Sequence, residues 1–209
     1  MTATPLREQI SATPVVADAE AADHFIADLA GRAGEADLDD LSSLLKQDGP
    51  AKALLRGVGA ASPYLSSLCL RDPEALARTL SQSPDDRLAE IDTTLANDMA
   101  EADQKAAMRA LRQAKNRFAL TIALADLAGV FDLEQMMAAW SRAADTLLQA
   151  AVRFCLSRAA ERGNLKPDNP EAPDKDSGYI VLALGKYGAR ELNYSSDIDL
   201  IVFYDPTRA

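Results

Sequence analysis

Apolar residues recur along this chain with two different periods, and the change between them falls near Gly178. Ahead of that point the spacing is helical. Ala107, Leu111, Ala114, Phe118, Ile122 and Ala125 follow one another at steps of three and four, which lines them along one helix face. Gly129 suits the end of that helix. Asp132, with Gln135 three residues on, resembles a capping box that opens the next one. The second helix carries Leu133, Met137, Trp140, Ala144, Leu147, Ala151 and Phe154 on one stripe and ends near Gly163. About 30 helical residues span roughly 45 Å. The two together predict a long helical hairpin over about 103–162, with Met137 and Trp140 read as core rather than as a ligand pocket.

Shorter helical patterns precede the hairpin, at about 18–30, 38–58 and 84–101. The last carries Leu88, Ile91, Leu95 and Met99 on one side. Asp72-Pro73-Glu74 and Ser83-Pro84-Asp85 are both helix starts in form: a capping side chain, proline in the first turn, and acids beside the positive helix end. Residues 1–17, polar and with Pro5 and Pro14, are expected to form a loose arm. No repeat of fixed period is present.

Past Gly178 the pattern shortens. Tyr179–Leu184 and Ile198–Tyr204 are apolar runs of strand length, and residues 164–177, with several prolines and charges, read as the linker leading to them. Between the runs lie Gly185, Lys186 and Gly188, then a polar stretch ending in Asp197 and Asp199. Side chains alternate along a strand, so Asp197 and Asp199 are expected to share a face while Ile198 points away. Two such carboxylates form a hard oxygen site suited to Mg²⁺, and a glycine-containing loop brings backbone N–H groups close to phosphate oxygens. The plainer alternative is that the aspartates are solvated turn residues and the glycines ordinary turn glycines. Lys186 is a phosphate contact or an exposed lysine, and Glu191 is given a structural hydrogen-bonding role. Asp205 lies roughly 20 Å from Asp199 along an extended strand and cannot join the same metal site.

Composition narrows the partners. The 209 residues are 48% apolar and only 5% aromatic, which with abundant alanine favours helix. A net charge of -10 argues against a nucleic-acid partner, since phosphate backbones need clustered cations. Lys105, Arg109 and Arg112 form a basic stripe on the first hairpin helix, read as a solvated face. Cys69 and Cys155 are expected to be buried reduced thiols, and the single His24 is given no role. Residues 1–20 lack the apolar core of a signal peptide, and Ala119–Phe131, interrupted by Asp126, is too short to span a bilayer. A cytoplasmic location is expected.

The order strand, glycine turn, Asp-x-Asp strand resembles the DNA polymerase beta-like nucleotidyltransferase superfamily. Within it, GKYGARELNYSSDIDL is similar to the glutamine synthetase adenylyltransferase/adenylyl-removing enzyme family, in which Gly-Lys-x-Gly, Glu-Leu and Ser-Asp-x-Asp-Leu recur at this spacing. Here those positions are Gly185, Lys186 and Gly188, then Glu191 and Leu192, then Ser196, Asp197, Asp199 and Leu200. Ala189 departs from the pattern, where a second consecutive glycine is common. The resemblance covers roughly 105–205 and is most specific over 185–200.

The resemblance implies an α+β fold, predominantly helical: a helical bundle over 1–163, the linker 164–177, and the first strands of a nucleotidyltransferase mixed sheet over 178–209. It implies Asp197 and Asp199 as catalytic metal ligands for one or two Mg²⁺ ions, and Gly185, Lys186, Gly188 and Ser196 as nucleotide- and phosphate-binding residues. A third acid, supplied in the superfamily by a later strand, is not found after Asp205, so the chain is expected to be the N-terminal part of a longer polypeptide and silent by itself. That unit of the family removes AMP from a tyrosine of glutamine synthetase by phosphorolysis to ADP, whereas the second unit attaches AMP from ATP. The implied partners are glutamine synthetase, orthophosphate, ADP or ATP and a signalling protein of nitrogen control, with no nucleic acid and no membrane. Two rivals stay open: another nucleotidyltransferase, such as a protein uridylyltransferase or a small-molecule enzyme, and a non-catalytic helical docking module.

Overall fold

Proline sets the rhythm of the first half of the chain. Helices α4 (Pro50–Ala61), α5 (Pro63–Arg71), α6 (Pro73–Ser81) and α7 (Pro84–Ala100) each open on a proline, where the missing N–H would have had no intrahelical partner. Three of these starts are capped by the preceding side chain. Ser62 Oγ accepts from Leu65 N at 3.3 Å, Asp72 Oδ1 from Ala75 N at 2.9 Å, and Ser83 Oγ from Asp86 N at 3.2 Å. The same logic divides the helix expected over 38–58 into α3 (Asp39–Lys46) and α4, because Pro50 cannot donate within a helix and Gly49 before it is extended.

These elements come from a computed structural model that describes residues 3–169, 172–194, 196–205 and 207. The remaining helices among them are α1 (Leu6–Gln9), α2 (Ala19–Glu35), α8 (Gln104–Leu127), α9 (Leu133–Glu161) and the single turn α10 (Gly185–Gly188). Two strands, β1 (Tyr179–Leu184) and β2 (Asp199–Tyr204), pair antiparallel. The fold is α+β and mainly helical. The chain divides into two compact units, one formed by residues up to Ile91 with Asn116–Leu133, the other by Asp92–Lys115 with the residues from Glu134 onward.

In the first unit α2 packs on α4, and the core is aliphatic: Leu29, Leu54, Leu55, Leu76, Leu80 and Ile122 are fully buried. Thr79 and Thr121, also buried, satisfy each other's hydroxyls at 3.2 Å. Residues 3–17 are not loose. Leu6 is completely buried, its N–H donates to Gln82 O at 2.7 Å, and the N–H groups of Ser11 and Ala12 both donate to Ala128 O. A single leucine in a polar stretch has no periodicity to announce it, yet that one side chain and these backbone bonds tie the arm down. Gly129, at φ 67, ends α8 as expected.

The α8 stripe behaves as its spacing requires: Ala107, Ala114, Phe118, Ile122 and Ala125 are buried and Leu111 is half-buried. Lys105, Arg109 and Arg112 are exposed. On α9 the face is rotated by about one residue. Met136, Ser141 and Ala143 are the buried positions, Met137 and Trp140 are half-buried, and Leu133 is 65% exposed. Adjacent Met136 and Met137 each continue a three–four row, so periodicity alone selects neither. Cys69 is buried, and burial pushes its thiol up to about 12. Cys155 is exposed, contrary to expectation, because the α9 row on which it lies is not a core row. Among the described residues no helix is long and apolar enough to cross a membrane.

One ion pair in the first unit carries an unusual share of risk. Arg87 is 3% exposed, and its guanidinium donates to Glu90 Oε2 at 2.7 Å, while Arg78 reaches the other Glu90 oxygen. Burial alone would raise the Glu90 carboxyl, but hydrogen bonds from Gln82, Arg87 and Arg78 outweigh it and hold the group below its ordinary value of 4.5. Because the folded value is depressed, this stabilisation is present above 4.5 and is lost as pH falls through the lowered folded value. Glu90→Ala strands a buried cation and is expected to lower stability by about 3 kcal/mol near neutral pH. Urea denaturation of wild type and variant should show that gap shrinking under acid.

Candidate functional site

The expected carboxylates and glycines lie at one end of the β1–β2 hairpin. In its register Leu184 stands opposite Asp199, so β1 runs into the glycine turn at the level where β2 begins. Gly185 leaves the strand with φ 55, a left-handed conformation that disfavours any side chain. A Cβ built there would sit 3.3 Å from Asp199 Oδ2, so this carboxylate lies directly over the start of the turn. At the other end of the turn, a Cβ on Gly188 would come within 2.5 Å of Ala183 O. The two glycines thus do different things: one permits the bend, the other permits contact with the strand just left.

The segment expected as a loop is one helical turn. Ala189 N donates to Gly185 O at 3.0 Å, Arg190 N to Tyr187 O at 3.0 Å, and Glu191 N to Lys186 O at 2.7 Å. Lys186 is exposed on this turn. Glu191 closes it through its backbone N–H. Ser196 is half-buried, and its hydroxyl donates to Asn193 Oδ1 at 2.9 Å.

Asp197 is placed differently from expectation. Strand β2 begins at Asp199 rather than Ile198, so Asp197 precedes the ladder and strand alternation does not set its direction. Both aspartates are exposed. Among the described residues no three His, Cys, Asp or Glu side chains gather into a metal-holding group. Two carboxylates are still a chemically sound donor set for Mg²⁺, which binds through one or two carboxylates and completes its shell with water and substrate phosphate.

Sequence reasoning missed the groups that hold the turn in place. Tyr187, in the middle of it, is 4% exposed, and its hydroxyl donates to Asp145 Oδ1 on α9 at 2.7 Å. Burial first, and the Asp145 carboxylate second, push the Tyr187 phenol well above its ordinary range. Asp145 also faces Arg190 at 3.5 Å. Farther along the connection Leu192 is buried, and the Tyr194 ring meets Trp140 of α9 edge-on at 5.5 Å between centroids. The signal available in the sequence was Tyr187 itself, an aromatic residue inside a run of glycine and charge. Nothing local marks Asp145.

A cavity of about 730 Å³ in this unit lies elsewhere, between α7 and α9, with Leu95, Met99, Phe154 and Arg158 in its wall. None of the motif residues lines it.

Strand, glycine turn and carboxylate-led return strand are the order that the resemblance to nucleotidyltransferases implies. The comparisons agree. The family described as glutamate-ammonia ligase adenylyltransferase matches residues 52–209. Bifunctional glutamine synthetase adenylyltransferase/adenylyl-removing enzymes are similar to this chain along most of its length. The enzyme of Xanthobacter autotrophicus is 41% identical over 94% of this chain and 20% of its own length. That of Bradyrhizobium diazoefficiens is 46% identical over 73% of this chain and 16% of its own. That of Bartonella henselae is 39% identical over 89% and 19%. The chain belongs to the glutamate-ammonia ligase adenylyltransferase family. It spans about a fifth of the length of the curated relatives it matches. No solved structure matches it.

Gly188→Ala is expected to be worse tolerated than Gly185→Ala. The first drives a methyl into a backbone oxygen, a conflict worth about 1–3 kcal/mol; the second adds roughly 1–2 kcal/mol of left-handed strain and displaces a side-chain carboxylate that can rotate. Amide exchange across 183–191 reads the difference, with the Gly188→Ala segment opening faster.

Proposed function

We propose that this chain is the part of a glutamine synthetase-modifying enzyme that removes AMP from a tyrosine by metal-dependent phosphorolysis. The observation that carries the reading is the Asp199 carboxylate lying over Gly185; it supports a metal ligand set beside a phosphate-binding turn. The names of the relatives, which couple an adenylyltransferase with an adenylyl-removing activity, support the substrate. In the proposed reaction an orthophosphate oxygen forms a bond to the α-phosphorus of the tyrosyl-AMP ester. The bond from that phosphorus to the tyrosyl oxygen breaks, the proton of the phosphate passes to the tyrosyl oxygen, and ADP leaves.

The residues divide the work by chemistry. Asp197 and Asp199 would hold Mg²⁺, one ion or two, which when bound neutralises phosphoryl charge and aligns the attacking and leaving oxygens. Lys186, exposed on the turn, offers a mobile positive charge to phosphate oxygens. Gly185 and Gly188 let the backbone approach, and the Ser196 hydroxyl lies on the connection that delivers Asp197. Glutamine synthetase, orthophosphate, the adenine nucleotides and a nitrogen-control signalling protein are the proposed partners, and the cytoplasm the proposed location.

A second reading applies to the isolated chain, whose described residues are mainly helical: a silent helical docking module. The tests are separable. In the intact enzyme that carries this segment, Asp197→Asn with Asp199→Asn should abolish AMP removal from adenylylated glutamine synthetase and leave AMP attachment largely intact. Attachment lost with removal preserved would assign the segment to the opposite reaction. Full-rate removal by the 209-residue chain, supplied with phosphate and Mg²⁺, would rule out the docking reading.

A further inference from the structure

The geometry points to Asp145 of α9 and Tyr187 of the glycine turn as a positioning pair for nucleotidyl transfer: together they fix the turn against which the substrate phosphates would lie. The inference rests on the function proposed above but not on any group that touches substrate.

A turn bounded by Gly185 and Gly188 has little stiffness of its own, since glycine gives the backbone access to many conformations. Its flanks are held by backbone contact, through the Gly188 approach to Ala183 O and the bond from Glu191 N to Lys186 O. Those contacts set its shape, not its direction relative to the helical scaffold. Tyr187 supplies the direction. Its ring is buried while Lys186 and Gly188 on either side are exposed, so it is the single inward anchor of the four-residue turn. A buried phenol must find an acceptor, and the acceptor here is charged and 2.7 Å away, a short charge-assisted bond. Asp145 lies within the 29-residue α9, so the anchor is fastened to a long regular element rather than to a loop. The second contact, Trp140 against Tyr194, sits one and a half turns earlier on the same helix and holds the later part of the connection. The Asp145–Arg190 pair is weaker support, with the Arg190 side chain 70% exposed.

The pair makes a graded prediction. Tyr187→Phe keeps the buried ring and removes only the hydroxyl. Asp145→Ala removes the acceptor. Asp145→Asn keeps an acceptor oxygen for the phenol and serves as the conservative rescue. In the intact enzyme, Tyr187→Phe and Asp145→Ala should each lower kcat for AMP removal on the order of 10- to 100-fold, as misplacement of a reacting group does, with KM for adenylylated glutamine synthetase unchanged. The double variant should be no worse than either single one, and Asp145→Asn should stay near wild type. Amide exchange over 185–191 should quicken in the damaging variants while the thermal midpoint holds. Unchanged exchange, additive losses, or fast exchange with full kcat would each overturn the pair's role. If the wild-type enzyme fails to remove AMP, the function proposed above falls, whereas the exchange arm still decides whether Asp145 and Tyr187 fix the turn.

Discussion

The pairing of Leu184 with Asp199 is the constraint on which the candidate site depends. It brings a carboxylate from the return strand to the point where the first strand bends away, and a slip by one residue would turn Asp199 to the opposite face. Hydrophobic pattern does little to prevent such a slip. Ile180, Leu182 and Leu184 alternate with Val181 and Ala183, so neither face of β1 is distinguished by polarity. The register is therefore set from the two ends: Gly188 against Ala183 O at the turn, and Asp205 N donating to Gly178 O at 2.9 Å at the open end.

The two units hold themselves together by different physics. Of the largest fully buried side chains, all except Leu95 belong to the first unit, which is stabilised chiefly by removing aliphatic surface from water. The second unit relies more on polar anchors along α9. Asp92 receives Thr146 Oγ1 at 3.1 Å and the Arg142 guanidinium, Arg158 donates to Ala102 O at 2.5 Å, and Asp145 receives Tyr187. Its strands meanwhile leave Ile180, Leu182, Ile201, Val202 and Phe203 exposed. A scaffold tied by directional bonds orients what it carries more sharply than apolar packing does, and it is more easily untied by a single substitution.

Local signals were legible in the sequence and long-range ones were not. The β1 limits, the caps at Asp72 and Ser83 and the α8 stripe each depend on a few neighbouring residues, and each was visible. Ser62-Pro63 carries the same start signature as Ser83-Pro84 and was available to the same argument. What escaped depends on distant partners. Leu6 is pinned by a carbonyl on residue 82, Ser11 by one on residue 128, and Tyr187 by a carboxylate 42 positions earlier. At the site, the identity of the glycines and aspartates could be read from spacing. Their arrangement could not: the loop is a helical turn, and Asp197 stands outside the strand that was expected to aim it.

The edge-on contact between Trp140 and Tyr194 gives the molecule an optical handle. The chain contains a single tryptophan, so its indole emission is not averaged over several environments. That indole sits where α9 meets the connection between the glycine turn and the aspartates. Any event that shifts the connection changes the polarity and quenching around one fluorophore. The intrinsic spectrum of this chain is consequently a report on the neighbourhood of its candidate site, obtainable without a label.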